Sequence, residues 1–314
     1  MTIRFWVQTI NYATWWRREV TVAHMLAVML SVFCATQSQL AKSEESLILE
    51  AARQAEEQLD ARVGLALYDT ENGASWLYNA NERFPMASTF KVLACGALLA
   101  RSDGGFEDLN RPVPINQSDL VTYSPVTEGW LGQEVPLNKL CEATMRTSDN
   151  TAANKVLEAL GGPVAVTAFL RSFGDEVTRL DRWETELNEA TPGDLRDTTT
   201  PAAMANSLQR LLLGDVLSPS AQATLTEWLV GNEVGEPLLR AGIPDAWRIG
   251  DRTGAGGHGS RGVAAIVWPP EQAPLIAAIY ITQTEASMEQ RNEAIATIGR
   301  ALAETVRAKP EMPH

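Results

Sequence analysis

Strand-like runs stand at the two ends of this chain, and a long, mainly helical stretch separates them. Residues 62–68 and 75–78 read as strands joined by the turn signal Glu71-Asn72-Gly73, and residues 247–251, 262–268 and 275–282 return to strand-like runs. Helical periodicity marks residues 46–59 and 292–307 and dominates between residues 85 and 230. Strands so far apart can share one sheet only if the intervening chain leaves and returns. The pattern predicts an α/β protein of the α+β sandwich type: a mainly antiparallel sheet from both chain ends with flanking helices, plus an inserted all-helical lobe. The implied boundaries are residues 42–84 with 231–309 for the α/β lobe and 85–230 for the helical lobe. A cleft between two lobes is a usual place for a small-molecule site.

The first residues follow another rule. Arg4, Arg17 and Arg18 precede an apolar run over residues 23–35 and a small, polar exit, which is the pattern of a secretory signal peptide over residues 1–38. The run is too short to span a bilayer comfortably, so no stable membrane association is expected after its removal. Cys34 would leave with it. Cys95 and Cys141 remain, and an oxidising compartment permits either a disulfide or two buried thiols. A bridge would close a loop of about 46 residues, worth about 4 kcal/mol in the chain-entropy account.

Charge and histidine content exclude several chemistries. With 26 basic against 39 acidic residues the net charge is −13, and no basic block suggests a nucleic-acid partner. The histidines are His24, His258 and His314, too few for a His-rich zinc site. A Ser-His-Asp triad would need His258, which lies in the glycine-rich run Gly256-Gly257-His258-Gly259 and reads as a loop residue.

A nucleophile without histidine is available in Ser88-Thr89-Phe90-Lys91, which opens an almost wholly apolar helical run to Ala100. Residues three apart on a helix share a face, so Lys91 points toward the Ser88 hydroxyl. A lysine buried in such a helix loses its proton more readily and can serve as a base. Ser148-Asp149-Asn150 precedes a second helical run and, taken alone, reads as a helix cap. In the polar loop Glu184-Thr185-Glu186-Leu187-Asn188, Glu184 and Asn188 together can hold and deprotonate a water molecule, or simply belong to an acidic surface loop. Arg182 and Asp197 are placed to pair across the base of that loop. Asp251-Arg252-Thr253-Gly254-Ala255-Gly256 follows a strand: Arg252 offers a fork suited to a carboxylate, and the glycines admit a close ligand.

Taken in order and spacing, these four boxes resemble the class A serine β-lactamases over essentially all of residues 45–308. The resemblance implies hydrolysis of β-lactams through an acyl-enzyme on Ser88, with Lys91, Ser148, Glu184 and Asn188 as catalytic partners and the backbone N–H groups of Ser88 and Ala255 as oxyanion hole. It assigns Asn150, Tyr123, Arg252, Thr253, Gly254 and Arg261 to substrate binding, and Cys95 and Cys141 match a disulfide found in many members. One position departs: the last box usually begins with lysine, and Arg252 resembles the carbenicillin-hydrolysing branch. No metal or organic cofactor is implied, and the expected product is a periplasmic monomer of a Gram-negative bacterium. A penicillin-binding D,D-peptidase or a β-lactam sensor would share the serine boxes; Glu184 with Asn188 argues against the peptidase, and a sensor would need membrane helices where the sequence offers only the apolar run of the signal.

Overall fold

β1 (Arg62–Asp69) and β2 (Ser75–Tyr78) come from one end of the chain, and β3 (Arg248–Ala255), β4 (Arg261–Trp268) and β5 (Leu275–Thr282) from the other. In the computed structural model, which describes residues 47–308, they form one antiparallel sheet in the order β2-β1-β5-β4-β3. The long pairing of β1 with β5, from Arg62 opposite Thr282 to Asp69 opposite Leu275, joins the two ends. The signal-peptide expectation, with Arg4, Arg17, Arg18 and Cys34, lies outside the described residues.

Because side chains alternate along a strand, the sheet divides its apolar residues between two cores. Val63, Leu65, Leu67, Val263, Ala265, Ala277 and Ile279 face α1 (residues 47–59) and the last helix, Met288–Arg307. Ala66, Ala264, Ile266, Ile276, Ala278 and Tyr280 face the helices of the middle of the chain. A one-residue slip would exchange the two sets, so the register is strongly specified.

On that second side lies α2 (Phe90–Asp103), packed among α3 (Leu137–Thr147), α4 (Asn150–Leu160), α5 (Pro163–Ser172), α6 (Pro201–Leu213) and α7 (Pro219–Val230). Every residue from Phe90 to Leu99 is buried, as an all-round apolar helix requires. Each of its large apolar side chains contributes about 1.5–3 kcal/mol by burial. Cys95 and Cys141 form a disulfide linking α2 to α3, with Cα atoms 5.8 Å apart.

Three boundaries differ from the sequence reading. Ser88 belongs to a short 3-10 turn, Ala87–Thr89, and the α-helix starts at Phe90. The last helix, α8, starts at Met288, earlier than residue 292, because Ser287 and Gln290 form a reciprocal capping box. The Asp251–Ala255 segment, read as a loop after a strand, is itself strand: it pairs with Ala265–Arg261 of β4. Asp, Arg and Gly have poor strand propensity, and the ladder overrides it.

Candidate active site

The turn that carries Ser88 is set by its neighbours. Ala87 adopts a left-handed φ of 42°, and the Thr89 hydroxyl donates to the Met86 carbonyl at 2.7 Å and meets the Tyr280 hydroxyl at 3.0 Å. Gly254 of β3 lies against this turn. A Cβ there would sit 2.7 Å from the Met86 oxygen and 3.1 Å from the Ser88 nitrogen, so only glycine lets the strand approach.

Three residues after Ser88, the Lys91 side chain is wholly buried and its ammonium is surrounded by oxygen. Nζ donates to the Ser148 carbonyl at 2.9 Å, to Ser148 Oγ at 3.1 Å and to Asn150 Oδ1 at 2.7 Å, and lies 3.1 Å from Glu184 Oε1. Burial pulls the amine down to about 8, against the opposing pull of the Glu184 charge. Proton exchange within this cluster is therefore accessible near neutral pH.

The Ser148-Asp149-Asn150 triplet splits between structure and site. Ser148 ends α3 in the left-handed conformation, φ 65°, which turns its hydroxyl toward Lys91. Asp149 caps α4 through the Ala152 N–H at 2.8 Å, and its second oxygen accepts the Val126 and Thr127 N–H groups at 3.0 and 2.9 Å. Asn150 donates from Nδ2 to the Thr122 carbonyl at 2.8 Å while its oxygen holds Lys91. Its N–H donates to the Tyr123 carbonyl at 3.0 Å. Tyr123 itself has a left-handed φ of 66° and is 53% exposed. Left-handed non-glycine residues cost about 1–3 kcal/mol each and gather at functional sites. Ala87, Tyr123 and Ser148 do so here.

Across the cleft, the loop of residues 179–197 is closed by Arg182, whose Nε donates to Asp197 Oδ2 at 2.5 Å. Asp197 Oδ1 also accepts the Asp181 and Arg182 N–H groups, at 2.7 and 3.0 Å. The loop carries Glu184, buried, whose Oε2 accepts from Asn188 Nδ2 at 2.5 Å. Asn188 Oδ1 has no hydrogen-bond partner among the described residues. Asn154, four residues after Asn150 and so on the same face of α4, clamps Glu184 with two 2.9 Å bonds to its backbone N–H and carbonyl. Sequence reasoning did not single out Asn154. Its signal was a polar residue one turn beyond Asn150.

Ser88, Ser148, Asn150, Tyr123, Asn188, Thr253, Gly254, Ala255 and Arg261, with Val234, line one cleft of about 300 Å3. Lys91 and Glu184 lie below this floor, both side chains fully buried. Arg252 is also fully buried and does not belong to the lining. Its Nη1 reaches Asn232 Oδ1 at 3.5 Å, and Nε and Nη2 have no hydrogen-bond partner among the described residues. Burial lowers its guanidinium to about 10. Arg261 is fixed by Asn292 Oδ1 at 2.8 Å and by the Gly254 carbonyl at 3.1 Å. Burial first, and the nearby Arg291 charge second, lower it to about 10 as well. His258 lies in the loop after β3, away from the cleft lining. Among the described residues no cluster of three or more His, Cys, Asp or Glu side chains is arranged to hold a metal ion.

The arrangement offers a hydroxyl nucleophile, a buried amine–carboxylate pair, a second hydroxyl and cations to one side. That set suits acyl transfer from a small anionic amide. A family model described as "Beta-lactamase enzyme family" matches residues 28–306. Beta-lactamase AER-1 of Aeromonas hydrophila is 52% identical over 260 residues, covering 82% of this chain and 86% of that protein. Beta-lactamase PSE-4 of Pseudomonas aeruginosa is 50% identical over 272 residues, covering 87% and 93%. Among solved structures, an ancestral (GNCA) class A β-lactamase superposes with a TM-score of 0.81 at 53% identity, covering 82% of this chain and 99% of that one. The chromosome-encoded β-lactamase of Vibrio parahaemolyticus gives 0.81 at 43% identity, covering 83% and 100%.

Proposed function

The chain belongs to the class A β-lactamases, serine hydrolases of β-lactams, and from that premise we propose how its residues divide the reaction and which substrates it prefers. The reading that carries most rests on one observation: Lys91 Nζ touches Ser148, Asn150 and Glu184 at once.

Ser88 Oγ attacks the lactam carbonyl, its proton passing to the Lys91–Glu184 pair. The carbonyl oxygen becomes an oxyanion held by the N–H groups of Ser88 and Ala255; one such donor is worth roughly 3 kcal/mol. As the C–N bond breaks, Ser148 delivers a proton to the ring nitrogen and is recharged by the Lys91 ammonium it touches. Glu184 then takes a proton from a water molecule also held by Asn188, whose Oδ1 is otherwise unpartnered. The resulting hydroxide attacks the ester and frees Ser88.

Asn150 and Tyr123 face the substrate's side chain, while Thr253, Arg252 and Arg261 meet its carboxylate. Arginine at position 252 keeps the charge and adds a fork, which supports carbenicillin among the substrates. The cleft would then separate an α/β lobe (residues 42–84 and 231–309) from a helical lobe (85–230). The proposed state is a monomer. The N-terminal pattern supports export to the periplasm, and no helix of the described residues is long and apolar enough to cross a membrane.

The test is steady-state hydrolysis of benzylpenicillin, carbenicillin and a cephalosporin by the purified protein. Turnover of both penicillins, with the cephalosporin slower, is the expected result. Turnover of benzylpenicillin without carbenicillin would refute the substrate assignment.

A further inference from the structure

β3 is the edge strand of the sheet, and the segment after α7 reaches it through the side chains of Asn232 and Arg240. Arg240, from this segment, donates from Nε to Asp251 Oδ1 at 2.8 Å and from Nη2 to the Leu229 and Val230 carbonyls at 3.1 and 3.2 Å. Between Asp251 and Arg252 sits Asn232, 4% exposed. Its Nδ2 donates to Asp251 Oδ1 at 3.0 Å, and its Oδ1 accepts the Val234 N–H at 3.1 Å and Arg252 Nη1 at 3.5 Å. One end of the amide thus meets a carboxylate and the other meets two donors. The flipped amide would set NH2 against a guanidinium and C=O against a carboxylate, so its orientation is fixed.

The consequence falls on Arg252. A buried guanidinium with partners missing is costly, and such a group calls for an explanation. Arg252 is tethered at one corner, with Nε and Nη2 unpartnered among the described residues. Its charge interacts first with Asp251 and then with Glu184, Arg261 and Tyr123, and it also acts on Lys91. Val234 and Thr253, which flank the tether, are cleft-lining residues.

We propose that Asn232 is a positioning residue: its carbonyl holds one corner of the Arg252 guanidinium and turns the other donors toward the cleft. The guanidinium is thereby kept with donors to spare for a substrate carboxylate. The inference rests on the reading that Arg252 meets that carboxylate.

The experiment compares benzylpenicillin with its methyl ester, which lacks the carboxylate, in the parent, Asn232→Ala, Asn232→Asp, Arg252→Ala and the double variant Asn232→Ala/Arg252→Ala. Asn232→Ala is expected to raise KM for benzylpenicillin about tenfold or more, the scale of a hydrogen bond to a charged group. Its kcat and its KM for the ester should stay within about threefold of the parent, because only a contact to the carboxylate is weakened. In the Arg252→Ala background the same change should add nothing. Asn232→Asp preserves the shape and supplies a competing carboxylate, so it too should raise KM for the acid and not for the ester. An equal rise for acid and ester, additive effects in the double variant, or an unchanged KM in Asn232→Asp would overturn the proposal while leaving Arg252 its role. If Arg252→Ala alone leaves KM for benzylpenicillin unchanged, the carboxylate reading fails and the proposal with it.

Discussion

Lys91 Nζ and Glu184 Oε1 lie 3.1 Å apart, with both side chains fully buried. Each charge is tolerable there only because of the other and of the oxygens around the amine, since removing one partner of a buried pair costs about 3–5 kcal/mol. The pair sits on two elements of different origin, the apolar helix α2 and the polar loop of residues 179–197, and it fastens one to the other.

Replacing Glu184 by Gln should separate the two halves of the reaction. The amide keeps the shape of the side chain and can still accept from Asn188, but it cannot take a proton from water. We expect acylation of Ser88 to persist and kcat for benzylpenicillin to fall about 10²–10⁴-fold, the usual contribution of a general base. Intact-mass spectrometry should show a persistent adduct of one penicillin. Absence of an adduct, with turnover near the parent's, would remove Glu184 from the deacylation step.

Lys91 should leave its mark on the pH dependence of stability. Burial holds its amine at about 8 against an ordinary 10.5. Below the lower value both folded and unfolded states carry the proton, and the buried cation weighs against folding. Between the two, the unfolded chain binds more protons, so the native state gains as pH rises. The stability of the parent relative to Lys91→Met should therefore increase from pH 8 toward 10.5, by at most about 1.4 kcal/mol per pH unit. Urea unfolding at several pH values measures this. A flat difference would show that the amine is not depressed.

Lys91 was legible in the sequence because a lysine within so apolar a helical run has few structural uses. The strands were legible where their residues are β-branched, as in β4 and β5, and misjudged where β3 is built from Asp, Arg, Thr and Gly. That segment is a strand because β4 pairs with it, which no local propensity encodes. The same limit hid the Asp149 anchor. An Asp before a helix reads as a cap, and its hold on Val126 and Thr127 depends on a contact made across 22 or more residues. The tether of Arg252 was hidden for a related reason: it depends on Asn232, 20 residues away in the chain.

Asp149→Ala should therefore be worse than the loss of a helix cap, which typically costs about 1 kcal/mol. The carboxylate satisfies the N–H groups of Val126, Thr127 and Ala152 together with the Thr127 hydroxyl. Orphaned buried donors cost about 1–3 kcal/mol each, so a loss of roughly 3 kcal/mol or more is expected in urea unfolding. Activity should fall as well, because the segment that presents Tyr123 and Thr122 to Asn150 is fastened by this anchor. A loss of 1 kcal/mol or less would show the carboxylate to be a cap only.

Gly254→Ala tests how closely the strand must approach the nucleophile. The added methyl would stand 2.7 Å from the Met86 carbonyl and 3.1 Å from the Ser88 nitrogen, with the Thr89 nitrogen at 3.2 Å. All three are backbone atoms, so no side chain can swing away to make room. Either β3 or the Ala87–Thr89 turn must shift, and the shift changes the distance between the N–H groups of Ser88 and Ala255. A misplacement on the order of 1 Å can cost about 10²-fold in rate, so kcat/KM for benzylpenicillin should fall by roughly that factor. The ladder between β3 and β4 does not depend on this Cα, so the fold should survive, with a cooperative thermal transition still present. Activity within a few-fold of the parent would mean that the turn relaxes without disturbing the proposed oxyanion hole, and that Ser88 does not rely on contact with the strand for its position.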